Sequence, residues 1–240
     1  MSKYRWLRAE WPISIRVLAH KIQGNLFTQD SRQGFVIDRV RENYIEARYI
    51  ERISYTDVII DPFGSELSFP KVEFRQSQFR ASSQSPGLEL INPPRSVAAL
   101  MNRLSEVADF GLAISSIGVD VTAWAELLQA EAFTDATIRS LQIGALNIET
   151  GVSARAVITG NHDVRSACQA LVQDRSFVVE KIQLDIFAPQ RCAVILANNA
   201  SAKIATNDQA DAIVEALRVA LEKTFTSTPP RPVSAKRSRL

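Results

Sequence analysis

The sequence predicts an α+β protein built mostly of antiparallel sheets, with amphipathic helices packed on one face and two successive α+β lobes. Three observations carry this. From Ile13 to Leu90 apolar and polar residues alternate with period two. At Asn92 the period changes to that of a helix. After Phe133, strand-like and helix-like segments resume in a second series. The expected division is 1–133, 134–226 and a basic tail, 227–240.

The alternating region is cut by "QGN", "RQG", "DPFG" and "SSQSPG", each rich in residues that favour turns, so it reads as antiparallel strands. Within "IEARYIERISYTDVIIDPFG", Ile45, Ala47, Tyr49, Ile53 and Tyr55 fall on one face, and Glu46, Arg48 and Arg52 on the other. Glu51 alone interrupts the apolar face. A half-buried sheet with cross-strand ion pairs on its outer face is the simplest outcome.

In "NPPRSVAALMNRLSEVADFG" the residues Val97, Leu100, Met101, Leu104, Val107 and Ala108 follow helical spacing. Asn92 is placed to cap this helix, Pro93 to open it and Gly111 to close it. "FGLAISSIGVDV" reads as a buried strand, and "TAWAELLQAEA" as a short helix begun by Thr122. The second series predicts strands near Ile138–Ile148 and Val152–Ile158, a helix near Val164–Val172, and strands near Val178–Phe187 and Cys192–Leu196. Thr206 and Gln209 have capping-box spacing before a last helix with Ile213, Val214, Leu217 and Leu221 in its stripe. Beyond Phe225, "TSTPPRPVSAKRSRL" lacks any apolar period and reads as a flexible arm.

Composition narrows the function classes. Hydrophobic residues make up 46% and charged residues 22%, which suits a soluble globular chain. No apolar run approaches the ~20 residues that span a bilayer as a helix, and "MSKYRWLRAEWP" has no signal-peptide core. With only Cys168 and Cys192 and no spaced cysteine framework, a reducing, cytoplasmic setting is expected, without membrane association. The sequon at Asn199 then has no role.

Catalytic fingerprints are sparse. No phosphate loop, dinucleotide fingerprint or nucleophile elbow occurs, and "DFG" at Asp109–Gly111 stands without the other kinase motifs. His20 and His162 lack cysteine neighbours in metal-ligand spacing, and "TGNHD" reads as a turn. Cys168, among Ala167, Leu171 and Val172, reads as a packed thiol. No metal and no cofactor are expected.

Two functional readings remain. The first is a non-catalytic binding or assembly subunit that self-associates, with a protein partner or a second copy docking on Tyr4, Trp6 and Trp11. In that reading, Arg48, Arg52, Arg75, Arg80, Arg231, Lys236, Arg237 and Arg239 are the candidates for contact with DNA or RNA backbone. The second is a carboxylate-metal nuclease holding Mg²⁺ with Asp57, Asp61 and Glu73. Asp61 also stands before Pro62, an ordinary way to start a turn.

Overall fold

The computed structural model describes residues 1–132, 136–187, 191–205 and 210–227. Apart from Met1, the chain divides into two compact units at Ile117/Gly118.

The N-terminal unit contains β1 (Ser2–Glu10), α1 (Ile15–Gln23), β2 (Gln33–Val40), β3 (Tyr44–Ile60), β4 (Glu66–Ser82), β5 (Gly87–Ile91), α2 (Ala98–Val107) and β6 (Ala113–Ser116). Its antiparallel strands lie in the order β2-β3-β4-β5-β1, with β6 on β1. The apolar face predicted for β3 turns inward at its start: Ile45, Ala47 and Tyr49 join Phe35, Phe79, Leu88 and Leu90 in one core. Both helices of the unit feed that core, α1 through Ile15, Leu18 and Ile22, and α2 through Leu100 and Leu104. Phe35 sits between Tyr49 and Phe79, at ring-centroid distances of 5.4 and 6.0 Å.

Gly87 closes the turn into β5 with φ of +97°, and a Cβ there would meet Ala9 O at 2.3 Å. Only glycine meets both demands, the left-handed backbone and the close approach of β1.

The C-terminal unit contains α3 (Val121–Ala132), β7 (Ala136–Glu149), β8 (Val152–Thr159), α4 (Arg165–Val172), β9 (Phe177–Ile186), β10 (Cys192–Ala197), β11 (Ser201–Ile204) and α5 (Ala210–Ser227). Its antiparallel strands run β11-β10-β9-β7-β8. Helix α3 belongs here: the buried Trp124 donates its indole N–H to Leu217 O of α5 at 3.2 Å, and Glu131 pairs with Lys223. This places the division at Ile117/Gly118, ahead of the expected 133/134. Asp185 is buried but neutralised, with Arg191 at 2.7 Å and Arg139 at 3.5 Å.

Several local expectations change. Residues 15–23, read as strand, form α1, capped by Ser14 Oγ accepting from Val17 N. Asn92 does not cap α2: its φ is +46° and its Oδ1 accepts from Lys3 N, so it ties β5 to β1. The left-handed residues after α2 are Asp109 and Phe110, ahead of Gly111. Helix α3 is capped by Asp120, which accepts from the amides of Thr122 and Ala123. Strand β6 is an exposed edge strand with one neighbour. Thr226 and Ser227, read as part of the flexible arm, belong to α5, while Thr206, Gln209 and residues 228–240 lie outside the described residues.

Phe79 is wholly buried whereas Phe63 is 92% exposed, so their truncations should separate cleanly. Phe79→Ala is expected to cost about 3–5 kcal/mol in the unfolding of the N-terminal unit, and Phe63→Ala less than about 0.5 kcal/mol. Guanidinium unfolding followed by circular dichroism measures both.

Candidate functional site

The feature that sets this chain apart is the distal half of the β3–β4 hairpin. The two 17-residue strands stay in one antiparallel register from Tyr44↔Ser82 to Ile60↔Glu66. Neighbouring strands end much earlier. Strand β2 pairs with β3 only as far as Glu51, and β5 pairs with β4 only over Gln78–Ala81. Beyond this base, Ile53–Ile60 and their partners continue as a two-stranded arm for roughly 24 Å, at ~3.4 Å per residue.

The base of the arm is braced. Arg52 N donates to Arg32 O at 2.7 Å, its guanidinium donates to Gln29 O at 2.9 Å, and Phe74 meets Phe27 edge-on at 6.0 Å. The tip is also ordered. Asp61 Oδ1 accepts from the amides of Phe63 and Ser65, both at 2.8 Å, and Gly64 takes φ of +85° to close the turn. Phe63 is thereby held outward.

Between base and tip, apolar side chains are exposed on both faces of the ladder. Tyr55, Ile59, Leu67 and Phe69 share one face; Val58, Ile60, Val72 and Phe74 share the other. Ile60 is 67% exposed. Scattered single exposed apolar residues are ordinary, whereas a contiguous set on one projecting element marks an interaction surface. The same alternation that forms a core at the base carries apolar residues outward along the arm, where no described helix covers them.

The three carboxylates considered for a metal site do not converge. Asp57 pairs with Lys71 across the ladder, and this contact holds the Lys71 ammonium above its ordinary pKa, first through the hydrogen bond and then through charge. Asp61 Oδ1 is committed to the turn. Glu73 lies opposite Ile53, four residues from Asp57 along the strand, or about 13 Å at strand rise. No group of three or more His, Cys, Asp or Glu able to hold a metal occurs among the described residues.

The N-terminal aromatics sit inside the fold. Trp6 is 1% exposed and donates its indole N–H to buried Glu89 at 3.0 Å, with Tyr4 stacked on it at 6.0 Å. Trp11 is partly buried, donates to Gly87 O at 3.0 Å, and lines an open groove of about 450 Å³ with Arg8, Glu10 and Ser83–Pro86. A docking role would require Tyr4 and Trp6 to leave their packing.

The strand arginines are engaged with acceptors. Arg48 grips Asp38 through Nε at 3.1 Å and Nη2 at 2.9 Å. Arg80 lies 3.6 Å over the Tyr44 ring, with Glu46 at 3.5 Å. Arg75 has Glu73 at 3.7 Å and faces opposite to Arg48, Arg52 and Arg80. Arg231, Lys236, Arg237 and Arg239 lie outside the described residues. Burial raises the thiol pKa of both Cys168 and Cys192, which disfavours the reactive thiolate.

No protein-family model and no curated protein matches the chain. Among the described residues, no helix is long and apolar enough to cross a membrane.

The paired state of the arginines predicts a salt-dependence result. In titrations against single-stranded DNA, Arg48→Ala with Arg52→Ala should leave the slope of log affinity against log salt unchanged. A fall of about 0.7 per arginine would instead mean that they contact phosphate.

Proposed function

We propose that the protein is a non-catalytic binding or assembly subunit whose docking element is the β3–β4 arm. One observation carries this reading: a braced, capped arm presents apolar side chains on both faces, and among the described residues Tyr55, Val58, Ile59, Ile60, Phe63 and Phe69 stay exposed there. An isolated two-stranded ladder is only marginally stable in water, so an arm of this length gains from a partner that covers it. The partner surface this calls for is protein and apolar, since the arm's Asp57 and Lys71 already neutralise each other. The docking residues are therefore Tyr55, Val58, Ile59, Ile60, Phe63 and Phe69, in place of the N-terminal aromatics.

The metal-nuclease alternative has no supporting geometry, because its carboxylates are dispersed along the ladder and engaged elsewhere. A nucleic-acid role would rest on the basic tail.

Excision gives a direct test. Removing Ser54–Val72 and joining Ile53 to Glu73 through an Asn-Gly turn preserves the braced base and a favoured two-residue hairpin connection. The expected outcome is unchanged helix content and unfolding midpoint, with loss of the proteins that copurify in fixed ratio with the intact chain from its native source. Retention of those proteins by the excised variant would contradict the proposal, as would Mg²⁺-dependent cleavage of nucleic acid by the purified protein that Asp57→Asn abolishes.

A further inference from the structure

The two faces of the arm differ in what burial would cost. Directly paired residues of an antiparallel ladder share a face, so Val58 and Ile60 lie with Glu66 and Ser68, whereas Tyr55, Asp57 and Ile59 lie with Leu67, Phe69 and Lys71. On the first face no ion pair joins the exposed Glu66 to a described residue, and the hydroxyls of Thr56 and Ser68 stand beside it. Covering that face would strip water from an uncompensated carboxylate. On the second face the charges are already compensated, Asp57 by Lys71 and Glu73 by Arg75 at 3.7 Å. Ile59 stands directly opposite Leu67, with Phe69 and Tyr55 extending the apolar patch toward the base, each about half exposed.

Nearer the base this second face is covered by helices. It continues through Tyr49 and Ala47 on β3 and through Phe79 and Ala81 on β4, all buried in the core that α1 and α2 close. No described helix extends over Tyr55 or Ile59. The dimensions suit one more. Two strands ~4.8 Å apart present a face about 10 Å wide, the diameter of a single helix and too narrow to seat a sheet of several strands. The roughly 24 Å of the arm, at ~3.4 Å per strand residue, matches about 16 helical residues at ~1.5 Å each. The five described helices of this chain already bury their own stripes, through Leu18, Leu104, Leu128, Val172 and Leu217, so a second copy has none of them to spare.

We infer that an amphipathic helix of a different protein lies along the face of Tyr55, Ile59, Leu67 and Phe69, prolonging the layer of α1 and α2 beyond the base. This rests on the reading of the arm as the docking element and narrows it to one face and one kind of occupant. An apolar stripe recurring at three and four residues covers the four side chains, the Asp57–Lys71 pair borders the seat, and the Glu66 face is left uncovered.

Photo-crosslinking of the full-length chain in its native source tests this. p-Benzoylphenylalanine is placed singly at Ile59, Leu67 or Phe69 on one face, and at Thr56, Val58 or Ser68 on the other. All six positions are exposed, so folding should survive, and far-ultraviolet circular dichroism verifies it. Mass spectrometry then locates each adduct. The expected result is that Ile59, Leu67 and Phe69 label one segment of one other protein, at residues three, four or seven apart, and that labelling is lost at Thr56, Val58 and Ser68. Adducts at every second residue of that segment mean an extended strand, and equal yield from both faces means that the occupant wraps the arm. Either overturns the inference while leaving the arm as the docking element, and so do adducts to a second copy of this chain. Absence of adducts from all six positions overturns both the inference and the docking role of the arm.

Discussion

The unbroken register of β3 against β4 is the constraint on which the rest of the N-terminal unit depends. Side chains alternate with period two, so the pairing fixed where Ile45, Ala47 and Phe79 enter the core also fixes every face out to the tip. No register shift occurs between Tyr44↔Ser82 and Ile60↔Glu66. A slip of one residue would expel the core residues at the base, and the burial of Phe35, Tyr49 and Phe79 opposes that strongly. The arm inherits its geometry from a core it does not touch.

That inheritance explains the arm's chemistry. The lateral strands stop near Glu51 and Gln78, yet the hairpin continues with residues suited to a covered sheet. Its polar contacts are local: Asp57 with Lys71 across the ladder, Asp61 with the turn amides. Each carboxylate that could suggest catalysis thus has a structural task. The arginines facing away from the core behave likewise, with Arg48 on Asp38 and Arg80 between Tyr44 and Glu46. Among the described residues, what remains without a task in the arm is apolar surface and one row of main-chain donors and acceptors, which are the materials of association with a partner.

Much of the architecture was legible in the sequence. The helical period at Leu100, Leu104 and Val107, the inward face of Ile45, Ala47 and Tyr49, and the turn at "DPFG" all follow from local chemistry. Helix α1 was concealed because Ile13, Ile15 and Val17 mimic a strand's alternation. Ser14 decides the matter by capping a helix that buries Ile15, Leu18 and Ile22 and leaves Val17 exposed. Trp6 lies close to the terminus, but the pairing of β1 with β5 brings it to Glu89, a partner no local pattern reveals. The arm was half visible. "VII" at Val58–Ile60 is apolar on consecutive residues, as in a strand covered on both faces, but alternation carries no information about whether a covering layer exists. That depends on where β2 and β5 end, which is a property of the whole sheet.

The most direct measurement is residue-resolved amide hydrogen exchange across β3 in dilute protein. In dilute protein the account predicts alternation: the amides of Tyr55, Asp57 and Ile59, directed at β4, exchange slowly, while those of Ser54, Thr56 and Val58, directed outward, exchange fast. Uniform fast exchange in both sets would mean that the arm is not a formed ladder. Uniform protection in dilute protein would mean that its own chain covers the edge, and either result would contradict the account.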